Sequence, residues 1–171
     1  MQQHSTVNVL FLCLGNICRS PLAEGVFMHH VRQAGLTHRL AADSAGTGNW
    51  HVGELADPRS RAVARRYGLE LTHRARQLAL HDFAKFHYVV AMDRSNLHNA
   101  QTLLLSANGR GVFPQQASSQ LVLMRDYDPQ ATHPDVPDPY TGTDQDFEKV
   151  YHMLHRSTQA FMQHLRAQHA L

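Results

Sequence analysis

The sequence predicts an α/β fold: a single domain built on a four-stranded parallel sheet with helices on both faces. Three observations predict it. Short strand-like runs alternate with stretches of helical periodicity, the pattern of β–α units joined by right-handed crossovers. The strand runs are apolar almost continuously, as strands covered on both faces are. A chain of 171 residues, 43% of them apolar, is long enough to bury one substantial core and about one domain is the length expectation, so residues 1–171 read as one unit.

The elements follow in order. The run "TVNVLFL" (6–12) is β-branched and apolar, and reads as a first strand ending at Cys13. From Pro21, the positions Leu22, Val26 and His29/His30 give a helix closed by Gly35, with Ser20 as its cap and Pro21 at its first position. "RLAADSAG" (39–46) offers a second strand, and "DPRSRAVARRYG" a helix capped by Asp57, opened by Pro58 and stopped by Gly68. "HYVVAMD" (87–93) is a third buried strand, followed by the helix "RSNLHNAQTLLL" (94–105). "SQLVLM" (119–124) is the fourth strand. After a proline-rich loop from Asp128 to Tyr140, the segment 143–168 carries Phe147, Val150, Leu154, Phe161 and Leu165 at helical spacing.

Composition excludes several function classes. A net charge of +2 leaves no nucleic-acid footprint. The N-terminus lacks the basic and apolar regions of a signal peptide, and no run approaches the roughly 18 apolar residues that cross a bilayer. A cytoplasmic protein without membrane partners is expected. In that reducing compartment two cysteines read as catalytic or redox-active rather than structural. The fourteen histidines do not converge on metal-ligand spacing, since His29 and His30 point to different helix faces and His152 and His155 lack a cysteine or carboxylate cluster nearby. No metal and no cofactor are expected.

Both cysteines, Cys13 and Cys18, lie in "FLCLGNICRSP" (11–21), between the first strand and the first helix, where ligands bind in such folds. A short loop there curls its backbone N–H groups, with those of the helix's first turn, toward one point and so binds an anion. Gly15 permits close approach or positive φ, and Asn16 is among the few other residues that tolerate the left-handed region. Arg19 adds a planar fork suited to two phosphate oxygens. A thiol in such a setting, beside a helix N-terminus and an arginine, has its pKa lowered from about 8.5 to roughly 3.5–7.5. The loop therefore reads as an N-terminal phosphate-binding loop, residues Leu14 to Ser20, around a thiolate at Cys13. Cys18 reads equally as a packing residue.

The stretch "CLGNICRSP" resembles the Cys-x5-Arg-Ser signature of the low-molecular-weight protein tyrosine phosphatases, and its place near the N-terminus matches too. The resemblance continues through "DSAGTGNW", "HRARQL", "AMDRSNL", "DPY" and "TDQDFEKVY". It implies hydrolysis of phosphotyrosine in a protein substrate, with Cys13 as nucleophile, Arg19 as the phosphoryl clamp and Asp138 as general acid. It implies that Leu14, Gly15, Asn16, Ile17, Cys18 and Ser20 bind phosphate, with Ser20 stabilising the thiolate, and that Asn16, Ser44 and His73 form a supporting network. Trp50 and Tyr140 would wall the cleft. The family's second tyrosine after the acid is Thr141 here, a departure that removes half of an aromatic pair. "DPDVPDP" makes Asp135 a competitor for the acid, and turns rich in Pro, Asp and Gly also arise for backbone reasons alone.

Related chemistries on this fold differ from this chain at particular residues. Thioredoxin-coupled arsenate reductases relay electrons through further cysteines, and none follows Cys18. Protein arginine phosphatases resemble this loop with Thr where Ile17 stands. A non-catalytic phosphate or phosphopeptide binding module would lack a catalytic part, and none is missing. A monomer or weak homodimer is expected. A peroxide-formed Cys13–Cys18 disulfide, reversible by thiols, is expected from an accessible thiolate with one other thiol in its loop.

Overall fold

The computed structural model describes residues 5–109 and 118–171. Four parallel strands form one sheet: β1 (Val7–Cys13), β2 (Leu40–Gly46), β3 (Tyr88–Ala91) and β4 (Gln120–Leu123), in the order β2-β1-β3-β4. The helices are α1 (Arg19–Gln33), α2 (Pro58–Arg66), α3 (Asp82–Lys85), α4 (Arg94–Gly109) and α5 (Asp144–His169), with a 3-10 turn at Met124–Tyr127. The short α3 and the 3-10 turn carry too few residues for a periodic signal to show in the sequence.

Alternation along β1 splits the core. Val7, Val9, Phe11 and Cys13 face a cluster that includes Leu22, Phe27, Leu154 and Phe161 of α1 and α5, while Leu10 and Leu12 face Phe83 and Ala100 of α3 and α4. Each face of a strand thus meets a helix layer, which is why these strands are apolar throughout. Phe147, Val150, Leu154, Phe161 and Leu165 of α5 are all buried, each worth roughly 1.5–3 kcal/mol if moved from water. Thr143 and Asp146 cap α5 reciprocally, and Asp57 caps α2 by accepting from the Arg59 amide.

The start of α1 differs from expectation. Helix α1 begins at Arg19, and Cys18 stands at the cap without a side-chain hydrogen bond, so Ser20 lies inside the first turn rather than before it. The Ser20 hydroxyl is engaged elsewhere, on the sulfur of Cys13, and the local rule that serine caps gives way to that tertiary bond. Pro21 remains in the first turn, where its missing N–H costs nothing.

Strand register sets the site. Cys13 pairs with Gly46, Leu12 with Ala91, and Ala91 with Leu123, so all four strands end along one edge. Strand order reverses between β1 and β3, and the loop after β1 opens into that switch point.

Candidate active site

The loop from Cys13 to Arg19 is folded around its own asparagine. Asn16 has φ +56° and is almost fully buried. Its Nδ2 donates to Ser20 Oγ at 2.8 Å and to Ser44 Oγ at 3.0 Å. Its Oδ1 accepts from the Arg76 amide and from His73 Nε2, both at 2.9 Å. Asn16 thus fills one acceptor position on each serine, and Ser20 Oγ lies 3.0 Å from Cys13 Sγ with the Ala45 carbonyl 3.4 Å away on its other side. The Ser44 proton goes to Glu24 Oε2 at 2.6 Å. The sequence allowed Gly15 a positive φ, but Asn16 takes that conformation; Gly15 provides close approach, since a Cβ there would stand 3.1 Å from the His51 ring. Gly46 serves the same end, for a Cβ on it would lie 2.7 Å from the Leu14 carbonyl.

Behind the loop, His73 Nδ1 faces Glu24 at 3.5 Å and Asp43 at 3.4 Å. His73 Nε2 must donate, because Asn16 Oδ1 has no hydrogen, so a single proton is shared across the Nδ1 side. Burial, helped by Asp43, pushes Glu24 up to about 7, and burial also holds His73 below its ordinary value despite Asp43. Both directions favour Glu24 over His73 as the holder of that proton. Among the described residues Glu24, Asp43 and His73 also form the one His/carboxylate trio with ligand atoms within 4.8 Å of one another. Arg76 already pairs with Asp43 at 2.9 Å.

Arg19 is buried and anchored from β3: its Nη1 donates to Asp93 Oδ2 at 2.6 Å and to the Val136 carbonyl at 3.0 Å. Burial disfavours its charge, but the neighbouring Cys13 sulfur and the Asp93 carboxylate outweigh this and hold the guanidinium above its ordinary value. Its Nη2 reaches Asp138 Oδ2 at 3.5 Å. The segment bearing Asp138 is tied to the sheet by the Val136 amide on Met92 and to α2 by Arg59, which donates to the carbonyls of Tyr140 and Gly142.

One cleft collects these groups. It is lined by Cys13, Leu14, Gly15, Ile17, Cys18, Arg19, Trp50, His51, Asp138 and Tyr140. Trp50 and Tyr140 are 67% and 50% exposed, so both rings are presented at the mouth instead of packing in the core. The side chains of Asn16 and Ser20, expected among the binding residues, turn inward behind the loop with Ser44 and His73. Asp135 is held by the Arg94 amide and guanidinium, a hydrogen bond that keeps its carboxyl below the usual range, and it does not line the cleft. Burial, together with Asp57 and Cys13, pushes the Cys18 thiol far up. Four residues of the site escaped sequence reasoning. His51, bonded to Glu54, lines the cleft, while Asp93, Glu24 and Arg76 orient the loop from behind. Asp93 alone had a local signal, as the residue just past a predicted strand end.

Known proteins resemble this chain over nearly its whole length. A porcine low molecular weight phosphotyrosine protein phosphatase is 39% identical over 166 residues, covering 97% of this chain and all of that protein. A crystal structure of a protein tyrosine phosphatase from Entamoeba histolytica superposes with TM-score 0.84 at 32% identity, over 95% of this chain and 99% of that one. A Drosophila arginine phosphatase does so with TM-score 0.84 at 30% identity, over 92% and 97%. The model of the family described as low molecular weight phosphotyrosine protein phosphatase matches residues 8–171, and on that match, with the loop geometry behind it, the chain belongs to this family.

Proposed function

We propose that this protein hydrolyses phosphotyrosine in protein substrates by double displacement. The Cys13 thiolate attacks phosphorus in line, and the phenolate leaves as it takes a proton from Asp138, giving a cysteinyl-phosphate. Asp138, now a carboxylate, draws a proton from water as that water attacks phosphorus, and inorganic phosphate departs while the thiolate is restored. Arg19 and the loop amides stabilise the transferring phosphoryl group, and the Ser20 hydroxyl holds the sulfur as nucleophile and leaving group. These roles are proposals, and one observation carries them: Cys13, Arg19 and Asp138 line a single cleft whose mouth presents two exposed aromatic rings.

The aromatic walls and the apolar Ile17 in the cleft favour a phenyl phosphate over an alkyl one. Likeness to an arginine phosphatase supports phosphoarginine as the second reading. The enzyme would act as one domain, as a monomer or weak homodimer, in the reducing cytoplasm where a nucleophilic thiolate persists. Among the described residues no helix is long and apolar enough to cross a membrane. Steady-state hydrolysis of matched phosphotyrosine, phosphoserine and phosphoarginine peptides, with EDTA present, tests the reading. Phosphotyrosine should be preferred and Cys13→Ser should abolish turnover while phosphate still binds. Preference for phosphoarginine, or turnover by Cys13→Ser, overturns it.

A further inference from the structure

A second cavity shares Arg19 and Asp138 with the cleft and continues along the carboxyl ends of β3 and β4, past Ser95, Arg125 and His133. Arg125 stands two residues beyond the end of β4 and is 6% exposed. Its Nε is buried with no hydrogen-bond partner among the described residues. The carboxylate it approaches, Asp128, is 3.7 Å away and already accepts from Arg156 through both oxygens, each at 3.3 Å. A buried guanidinium N–H without an acceptor is costly and calls for an explanation.

The acids on this cavity do not supply one. Asp93 accepts from Arg19 and the Asn96 amide, and Asp135 from the amide and guanidinium of Arg94. Asp138 accepts from the Tyr140 amide and lies beside Arg19. Arg125 is left as the cation on this cavity whose Nε has no acceptor among the described residues. His133 Nδ1 accepts from the Asp135 amide at 3.2 Å, so the neutral ring carries its proton on Nε2 and remains a donor. A planar, buried guanidinium lining one cavity with an imidazole N–H and a hydroxyl is a donor set that oxyanions take.

We propose that this cavity is an oxyanion subsite, with Arg125 as its cation and His133 and Ser95 as further donors, for an acidic group beside the phosphotyrosine on the same peptide. That group is a carboxylate of Asp or Glu, or a second phosphoryl group. The inference rests on the phosphotyrosine reading of the cleft, because the shared Arg19 and Asp138 place the subsite next to a phosphoryl group held over Cys13.

The test is kcat/KM on peptides whose phosphotyrosine is flanked, two residues to either side, by alanine, glutamate or a second phosphotyrosine. p-Nitrophenyl phosphate, which has no flank, is the reference. Wild type should favour an acidic flank about tenfold, the scale of charge-assisted hydrogen bonds. Arg125→Gln and His133→Ala should each cut that preference at least threefold while turnover of p-nitrophenyl phosphate stays within twofold. His133 is an exposed residue, so His133→Ala carries the test if Arg125→Gln fails to fold. A gain from either acidic flank that Arg125→Gln or His133→Ala reduces upholds the subsite and identifies its ligand. No preference in wild type, or one that both folded variants keep, overturns it. The same flanks on phosphoarginine peptides separate the two readings: if only those are hydrolysed, the phosphotyrosine reading falls, and their flank preference still decides the subsite.

Discussion

Replacing Asn16 with alanine removes the keystone of the loop. Four hydrogen bonds leave with the side chain, to Ser20 and Ser44 and from His73 and the Arg76 amide. At about 0.5–1.5 kcal/mol net for each bond, and about 1–2 kcal/mol more for alanine in the left-handed conformation that Asn16 holds at φ +56°, the loss is on the order of 3–8 kcal/mol. Total stabilities run to only about 5–15 kcal/mol, so Asn16→Ala should melt far earlier in urea. Where folded, it should lose on the order of 100-fold in kcat toward p-nitrophenyl phosphate, because loop amides and Ser20 drift from the sulfur. Asn16→Gly loses the same bonds without the Cβ penalty and should be less destabilised than Asn16→Ala. Asn16→Asp keeps the acceptor for His73 and Arg76 but cannot donate to the serines. An alanine variant within 1 kcal/mol of wild type and within about threefold in kcat would refute the keystone argument. Asn16→Ala proving more stable than Asn16→Gly would refute the strain component alone.

Four further outcomes are expected. Asp138→Asn should slow aryl phosphates with poor leaving groups far more than those with good ones, a Brønsted series that Asp135→Asn should leave flat; the reverse pattern would move the acid to Asp135. Arg19→Lys should lose most activity, and Asp93→Asn part of it, because the guanidinium is aimed by its 2.6 Å bond to Asp93; steady-state kinetics with near-normal kcat in either would remove that residue from the clamp. Glu24, pushed up to about 7 from 4.5, keeps in the native state a proton that the unfolded chain has lost, so stability declines as pH rises through that window. Glu24→Gln keeps the neutral form and should flatten that decline in melts from pH 5 to 8; a decline equal to wild type would rule the assignment out. Finally, peroxide should convert Cys13 to a sulfenic acid that Cys18 captures as a disulfide with loss of water, dithiothreitol reversing it and phosphate protecting. Because burial keeps Cys18 protonated, capture should quicken with pH, and mass spectrometry showing Cys13 sulfinic acid with Cys18 free would exclude it.

The strand and helix order was determined by the sequence itself. Continuous apolar runs become strands sandwiched by α1 and α5 on one face and by α3 and α4 on the other, and the spacing from Phe147 to Leu165 becomes the buried stripe of α5. The loop "CLGNICRS" was legible because its chemistry is local: a turn-forming asparagine, an arginine and a thiol lie within a few residues of each other. Only the tertiary structure decided what depends on residues far apart in the chain. Parallel register brings Gly46, Asp93 and Arg125 to the edge where β1 ends, and no periodicity encodes which strand lies beside which. That edge assigns the Ser20 hydroxyl to Cys13 rather than to a helix cap, sets Asp93 behind Arg19, and binds Asp135 to Arg94 while Asp138 faces the cleft. It also buries Glu24 against Asp43 and His73, and so fixes a proton under the loop that composition alone would have left in water. The physical reason is one of range. Propensity and pattern act over a turn or a strand, whereas hydrogen-bond partners and desolvation are set by the elements that folding brings into contact.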